Sequence, residues 1–198
     1  MKIVGITTQQ EVYVGSKERN FRINEFLIIS DPYQGDLMGE IVEAKTYNKY
    51  IPLSMHGELA DSSVLQSLKA LGYNIEEDTI YIGKIRLLNE ALYPVETGSD
   101  VRVPTFDEVK DLMIKSSVDE GLILGIIKNT DQMAKDMDEE LKDLLYTFEE
   151  GELRKQGDLP YIFSIRSMHQ YPHIGVFGGS GSGKSFGLRV VLEELMKL

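Results

Sequence analysis

The residues of this chain whose types and spacing carry a chemistry are Gly178-Gly179-Ser180-Gly181-Ser182-Gly183-Lys184-Ser185. They meet the spacing G-x-x-x-x-G-K-[S/T] at every position, the pattern of a loop that wraps the phosphates of a nucleoside triphosphate. Phosphate oxygens must come close enough to the main chain to accept several N–H bonds. That calls for residues that tolerate positive φ and place no Cβ in the way, which Gly178, Gly179, Gly181 and Gly183 supply, with Ser180 and Ser182 completing the loop. Lys184 brings a full charge to the β- and γ-phosphates and is the candidate catalytic residue. Ser185 offers a hydroxyl oxygen to Mg²⁺, which keeps several waters and takes few protein ligands.

Such a loop works only between a strand and a helix. Before it, Ile174, Val176 and Phe177 form a short apolar run that predicts a buried strand; after it, Leu188, Val191, Leu192 and Leu195 recur at helical spacing. The first-turn N–H groups of that helix have no partner within it, and its aligned peptide dipoles favour negative charge at the same end. Only fourteen residues follow Lys184. A nucleotidase of this kind also needs a second strand with an acidic Mg²⁺ ligand and a residue that positions the attacking water, so the sequence is expected to be a fragment of something longer.

Composition sets the outer bounds. Hydrophobic residues at 42% and charged residues at 27% are ordinary for a soluble globular chain of one or two domains. No apolar run is long enough for a membrane helix or a secretory signal, so no membrane partner is expected and a cytoplasmic location is the default. With no cysteine there are no disulfides or thiolate metal sites. The three histidines, His56, His169 and His173, show no metal-ligand spacing, and His173 reads as a turn or core residue. A net charge of −11 argues against this part of the chain gripping nucleic acid, which requires clustered Lys and Arg. Between Asp131 and Asp158, ten carboxylates face four cations, a formal −6. That excess reads as a solvated helix face, with a surface for a basic partner as the competing reading.

Along the chain, Lys2 to Val14, Phe21 to Ser30 and Leu37 to Tyr47 are rich in β-branched and aromatic residues between turn signals, and Thr79 to Leu88, Val101 to Val103 and Leu122 to Ile127 continue the series. Three of these carry the pattern apolar-Gly-x-Ile: Met38-Gly39-Glu40-Ile41, Ile82-Gly83-Lys84-Ile85 and Leu124-Gly125-Ile126-Ile127. Glycine inside a strand permits close approach in a tightly closed barrel; chance recurrence among 18 glycines is the alternative. Short helices are expected at Val64 to Leu71, with Asp61, Ser62 or Ser63 as cap and Gly72 as stop, and after Pro104, where Thr105 and Glu108 fit a capping box. A longer helix is expected from Asp131, with Met133, Met137, Leu141, Leu144, Leu145 and Phe148 along one side and Gly151 as its end. Leu159 to Arg166 reads as a further strand.

The barrel-like region containing Pro94-Val95-Glu96-Thr97-Gly98-Ser99-Asp100-Val101, the helical connector and the stretch from His173 to Ser185 together resemble the HerA-like ATPases of the HerA–FtsK group. That resemblance implies an α+β fold. Residues 1–128 would be an HAS-like β-barrel with inserted short helices and 129–157 a helical connector. Residues 158–198 would be the first strand–loop–helix unit of a truncated RecA-like ATPase domain. It further implies a homo-hexameric ring motor that binds ATP and Mg²⁺ and translocates double-stranded DNA in the manner of a helicase, often beside a nuclease. By residue, Gly178 to Gly183 become the loop, Lys184 the phosphate lysine and Ser185 the Mg²⁺ ligand. The family's acidic Mg²⁺ ligand, water-positioning residue and arginine finger would lie beyond Leu198, so residues 1–198 alone are expected to be inactive. The alternatives are a non-catalytic barrel for assembly or partner docking, or an ATPase of the same group acting on another substrate.

Overall fold

The structure, a computed structural model, describes residues 1–48, 62–75, 78–149, 151–164 and 174–197. It divides into two compact units, Met1–Pro104 and Thr105–Leu198.

The first unit contains β1 (Lys2–Val4), β2 (Glu11–Ser16), β3 (Phe26–Asp31), β4 (Gly35–Asn48), α1 (Ser62–Ala70), β5 (Thr79–Leu87) and β6 (Asp100–Arg102). Its six strands close into a barrel in the order β1-β2-β5-β4-β3-β6, each pair antiparallel. Period-two alternation decides what faces inward. In β2, Val12 and Val14 are fully buried while the alternating Glu11 and Tyr13 are not. Ile3, Leu27, Ile29, Ile41, Ile85 and Leu87 fill the interior with them. Outward-facing charges pair across strands, Lys84 with Glu11 at 2.8 Å and Arg86 with Glu40 at 3.3 Å. Such exposed pairs set register more than they add stability.

Two of the barrel's loops are fixed by buried carboxylates. Glu25 accepts from Arg19 Nη2 at 2.7 Å, from Arg22 N at 3.0 Å and from Arg22 Nε at 3.2 Å, closing the loop between β2 and β3. Asp31 accepts from the N–H groups of Tyr33 at 2.9 Å and Gln34 at 3.1 Å, which turns β3 into β4, and from Glu96 N at 2.8 Å. The segment 88–98 ties the β1–β2 turn to the β3–β4 turn. Ala91 N donates to Gln9 O at 2.8 Å, while the Gln34 carboxamide donates to Tyr93 O at 3.0 Å and accepts from Tyr93 N at 3.3 Å. Ala91 and Val95 drop from this strap into the core. Helix α1 ends where expected: Gly72 N donates to Lys69 O and Tyr73 N to Leu68 O, the paired bonds of a Schellman ending.

The second unit contains α2 (Phe106–Met113), β7 (Gly121–Ile127), α3 (Glu139–Lys142), β8 (Tyr146–Glu149), β9 (Glu152–Lys155), β10 (Leu159–Ser164) and α4 (Lys184–Leu195). The capping box of α2 forms, with the Glu108 carboxylate 2.8 Å from Thr105 N, and Phe106 and Val109 are buried. Two expectations require correction. Leu122 to Ile127 is not a barrel strand: β7 pairs antiparallel with β10. The barrel is already closed by β6, which slots between β1 and β3 and leaves no edge for another strand.

The long helix expected from Asp131 is also absent. Turns cover Asp131 to Asp136, α3 is four residues long, and β8 and β9 form a hairpin around Gly151 at φ 87°. Local chemistry overrides the helical spacing here. Asp158 Oδ1 accepts from Thr130 N at 2.7 Å and Asp131 N at 2.9 Å, while the fully buried Thr130 hydroxyl donates to Ile127 O at 2.6 Å and accepts from Leu159 N at 2.8 Å. This clamp bends the chain at the end of β7. Asp138 then precedes α3, a position where Asp favours a helix start over a helix interior. Tyr146-Thr147-Phe148 suits a strand better than a last helical turn. Met133 and Met137 are buried all the same, with Ala134, while Leu141, Leu144 and Leu145 are half-buried, so the apolar pattern located part of the core and misjudged the period. No helix among the described residues is long and apolar enough to cross a membrane.

Candidate phosphate-binding site

The glycine loop lies between an irregular segment and α4. From Ile174 to Gly179 the chain has no regular structure, so the strand expected there does not form. A strand needs a neighbour for its N–H and C=O groups, and among the described residues none pairs with this segment. Ile174, Val176 and Phe177 are exposed, Phe177 at 93%. His173, like His56 and His169, lies outside the described residues.

Ser180 and Gly181 form a turn, and Ser182 N donates to Gly179 O at 3.4 Å. The loop folds on itself so tightly that a Cβ on Gly178 would stand 2.5 Å from Ser182 Oγ. Gly183 caps α4 at φ 82°, a left-handed conformation that a side chain disfavours. At Gly179 and Gly181 a Cβ would meet nothing within 4 Å; these positions border open space that a phosphate can enter.

Lys184 opens the helix, yet its side chain turns back so that Nζ donates to Gly179 O. The ammonium is therefore held at the loop; Lys184 as a residue is half-buried, while residues 178–183 and Ser185 are exposed. The first helical bond of α4 runs from Gly187 N to Gly183 O at 2.9 Å. The N–H groups of Lys184, Ser185 and Phe186 precede that ladder, at the helix end that favours anions. Exposed main-chain donors, a cation turned inward and a Cβ-free margin fit a nucleotide's phosphates. Ser185, with its hydroxyl at the same helix start, fits a Mg²⁺ ion that takes most of its ligands from phosphate and water. Among the described residues no group of three or more His, Asp or Glu side chains is placed to hold a metal ion.

The seat of α4 differs from the expected apolar face. The helix lies against β7 with Val190, Val191, Glu194 and Leu195 half-buried, whereas Leu188 and Leu192 are exposed. Glu194 explains the rotation: its Oε2 accepts from Ile123 N at 3.2 Å, a strand-edge bond that pins the helix about its axis. Nothing in the apolar spacing signals this, because a glutamate counts there as a solvent residue. No protein-family model matches the chain, and no curated protein matches its sequence.

Proposed function

We propose that Gly178 to Ser185 binds the phosphates of ATP, with Lys184 on the β- and γ-phosphates and Ser185 on Mg²⁺. The observation that carries this reading is the Lys184 ammonium turned back onto Gly179 O at the start of a twelve-residue helix capped by Gly183 at φ 82°. A flexible Gly/Ser turn has no reason to fold its cation inward. On the resemblance to the HerA-like ATPases, the larger activity is that of an ATP-driven hexameric ring moving double-stranded DNA. On that reading the DNA contact would come from outside residues 1–198, because a net charge of −11 argues against this part gripping nucleic acid. Hydrolysis needs the metal held, the water oriented and the developing charge stabilised, and loss of an arginine finger alone costs about 10³–10⁵ in rate. Residues 1–198 by themselves are therefore proposed to bind nucleotide without turning it over.

Titration of the purified chain with a fluorescent ATP analogue and Mg²⁺ tests the site. Saturable binding that pyrophosphate displaces and Lys184→Ala abolishes supports the reading. Equal binding by the Lys184→Ala chain overturns it.

A second reading, a barrel that builds a ring or docks a partner without chemistry of its own, is favoured by the closed barrel of Met1–Pro104 and its separate core. Nucleotide binding as above, together with ATPase activity in a longer protein that Lys184→Ala removes, decides against it.

A further inference from the structure

The stretch from Asp131 to Asp158 is the most acidic part of the chain, and its few cations are not spread along it. Of Lys135, Lys142, Arg154 and Lys155, the three lysines line a single cavity of about 320 Å³. They reach it from three places: the turns after β7, helix α3, and the end of β9. Ala134 and the buried Met137 add an apolar wall, and Asp131, Gln156 and Gly157 complete the lining.

Neutralising nearby carboxylates accounts for two of the lysines only. Lys142 pairs with Glu139 at 3.0 Å, and Lys155 pairs with Asp143 and, at 3.7 Å, with Glu139. In the first pair the carboxylate is the more exposed partner, the Glu139 side chain at 74% against 27% for Lys142; in the Lys155–Asp143 pair the two side chains are about equally exposed. Lys135 has no carboxylate within ion-pair distance among the described residues, although Asp131, Asp136, Asp138 and Glu139 all lie within four residues of it. The Asp143 carboxylate beside Lys155 keeps that ammonium firmly protonated.

We infer that this cavity binds a small phosphomonoester, its phosphate among Lys135, Lys142 and Lys155 and its organic remainder against Ala134 and Met137. A carboxylate would be served by one or two ammonium groups, whereas three lysines lining one cavity suit the three terminal oxygens and double charge of a phosphomonoester. The volume exceeds that of a phosphate alone and lies at the small end of ligand-pocket sizes. This site does not depend on the glycine loop.

The test uses the full chain carrying Lys184→Ala, so that the loop does not contribute, with phenyl phosphate as the probe and amide NMR shifts as the readout. Saturable shifts at Lys135, Gln156 and Gly157 are expected. Lys135→Ala removes a surface cation with no ion-pair partner among the described residues and should weaken binding about tenfold, the effect of losing one charge-assisted hydrogen bond. Gly157→Met is the steric counterpart: a Cβ there meets only Asp131 Cβ at 3.9 Å, so the new side chain can enter the cavity without altering any charge. It should abolish the shifts while the rest of the spectrum is retained. Absence of saturable shifts at these three amides overturns the proposal, and so does binding unchanged in Lys135→Ala. Should Gly157→Met fail to fold, the Lys135→Ala comparison decides alone.

Discussion

A Cβ placed on Gly83 would stand 2.8 Å from Cδ1 of Ile41, and one placed on Gly39 would stand 2.4 Å from Cγ2 of Ile85. The relationship is reciprocal. Gly39 and Ile41 belong to one apolar-Gly-x-Ile segment on β4, Gly83 and Ile85 to another on β5, and each glycine receives the other segment's isoleucine. The register pairs Ile41 with Ile85 directly.

The two glycines are expected to differ in how they tolerate a methyl group. At Gly39 the added Cβ also meets the main-chain Arg86 O at 2.8 Å, which cannot move without breaking the ladder. Gly39→Ala should therefore cost about 1–3 kcal/mol or more, as overpacking does, and Ile85→Val should not recover it. Gly83→Ala meets side chains only, and shortening Ile41 to Val should offset part of its cost. Urea denaturation of the four variants and the two pairs checks this.

Asp31 makes the barrel sensitive to acid. Burial pushes its carboxyl up, but the N–H groups of Glu96, Tyr33 and Gln34 outweigh that and hold it below the ordinary value. A depressed folded-state pKa contributes stability above the unfolded-state value of about 3.9, and loses it as pH falls through the folded value. Asp31→Asn should thus be less stable than the parent at pH 7, by about 1–3 kcal/mol for a buried N–H group left without its acceptor. The gap should narrow below about pH 4 as the parent's carboxylate is protonated. Denaturant midpoints at pH 7 and pH 3 measure it, and a constant gap would argue against the assignment.

Thr130 should behave as a buried hydrogen-bond hub. Thr130→Val keeps the shape but leaves Leu159 N and Ile127 O without their partner, for an expected loss of about 1–3 kcal/mol. Thr130→Ser keeps the hydroxyl and should lose much less. Thermal melts followed at amides of β7 and β10 distinguish the two.

In the glycine loop, Gly178→Ala forces the new methyl group against Ser182 Oγ and should open the curl around Lys184. Nucleotide-analogue affinity is expected to fall about tenfold, the equivalent of a modest overpacking strain. Adding Ser182→Ala removes the obstructing oxygen and should restore most of the affinity; failure to do so would mean that the loop adopts another shape when loaded.

These contrasts show what the sequence made legible. Strand composition and turn signals located the barrel's strand-forming stretches, and β5 was read to within one residue, because a β-branched run bounded by polar turns determines its own limits; Lys2 to Val14, read as one strand, is instead β1 and β2 paired across a turn. The Gly39 and Gly83 fragments announced close packing, yet the same pattern at Gly125 did not. Gly125 lies on β7, where a Cβ would meet open space, beside an irregularity in the pairing with β10. Only partner identity separates the cases, and partner identity is not local. The Asp131 stretch failed for a related reason. Its apolar spacing suits a helix, but the Thr130–Asp158 clamp that bends it joins residues 28 apart. The glycine turn and the helix that starts at Lys184 were legible because glycine spacing and apolar periodicity are local signals; the Glu194 bond that seats that helix was not.

The pairing of β1 with β6 sets how the barrel responds to tension. Lys2 is partnered with Asp100, and Val101 N donates to Met1 O at 3.1 Å, so the two ends of the barrel unit emerge side by side. A pull applied through those ends loads the ladder as a zipper, one bond at a time, instead of shearing all of its bonds together. Strand β6, three residues long, would peel first, exposing Ile29 and Val101 before the β2-β5-β4 wall carries any load.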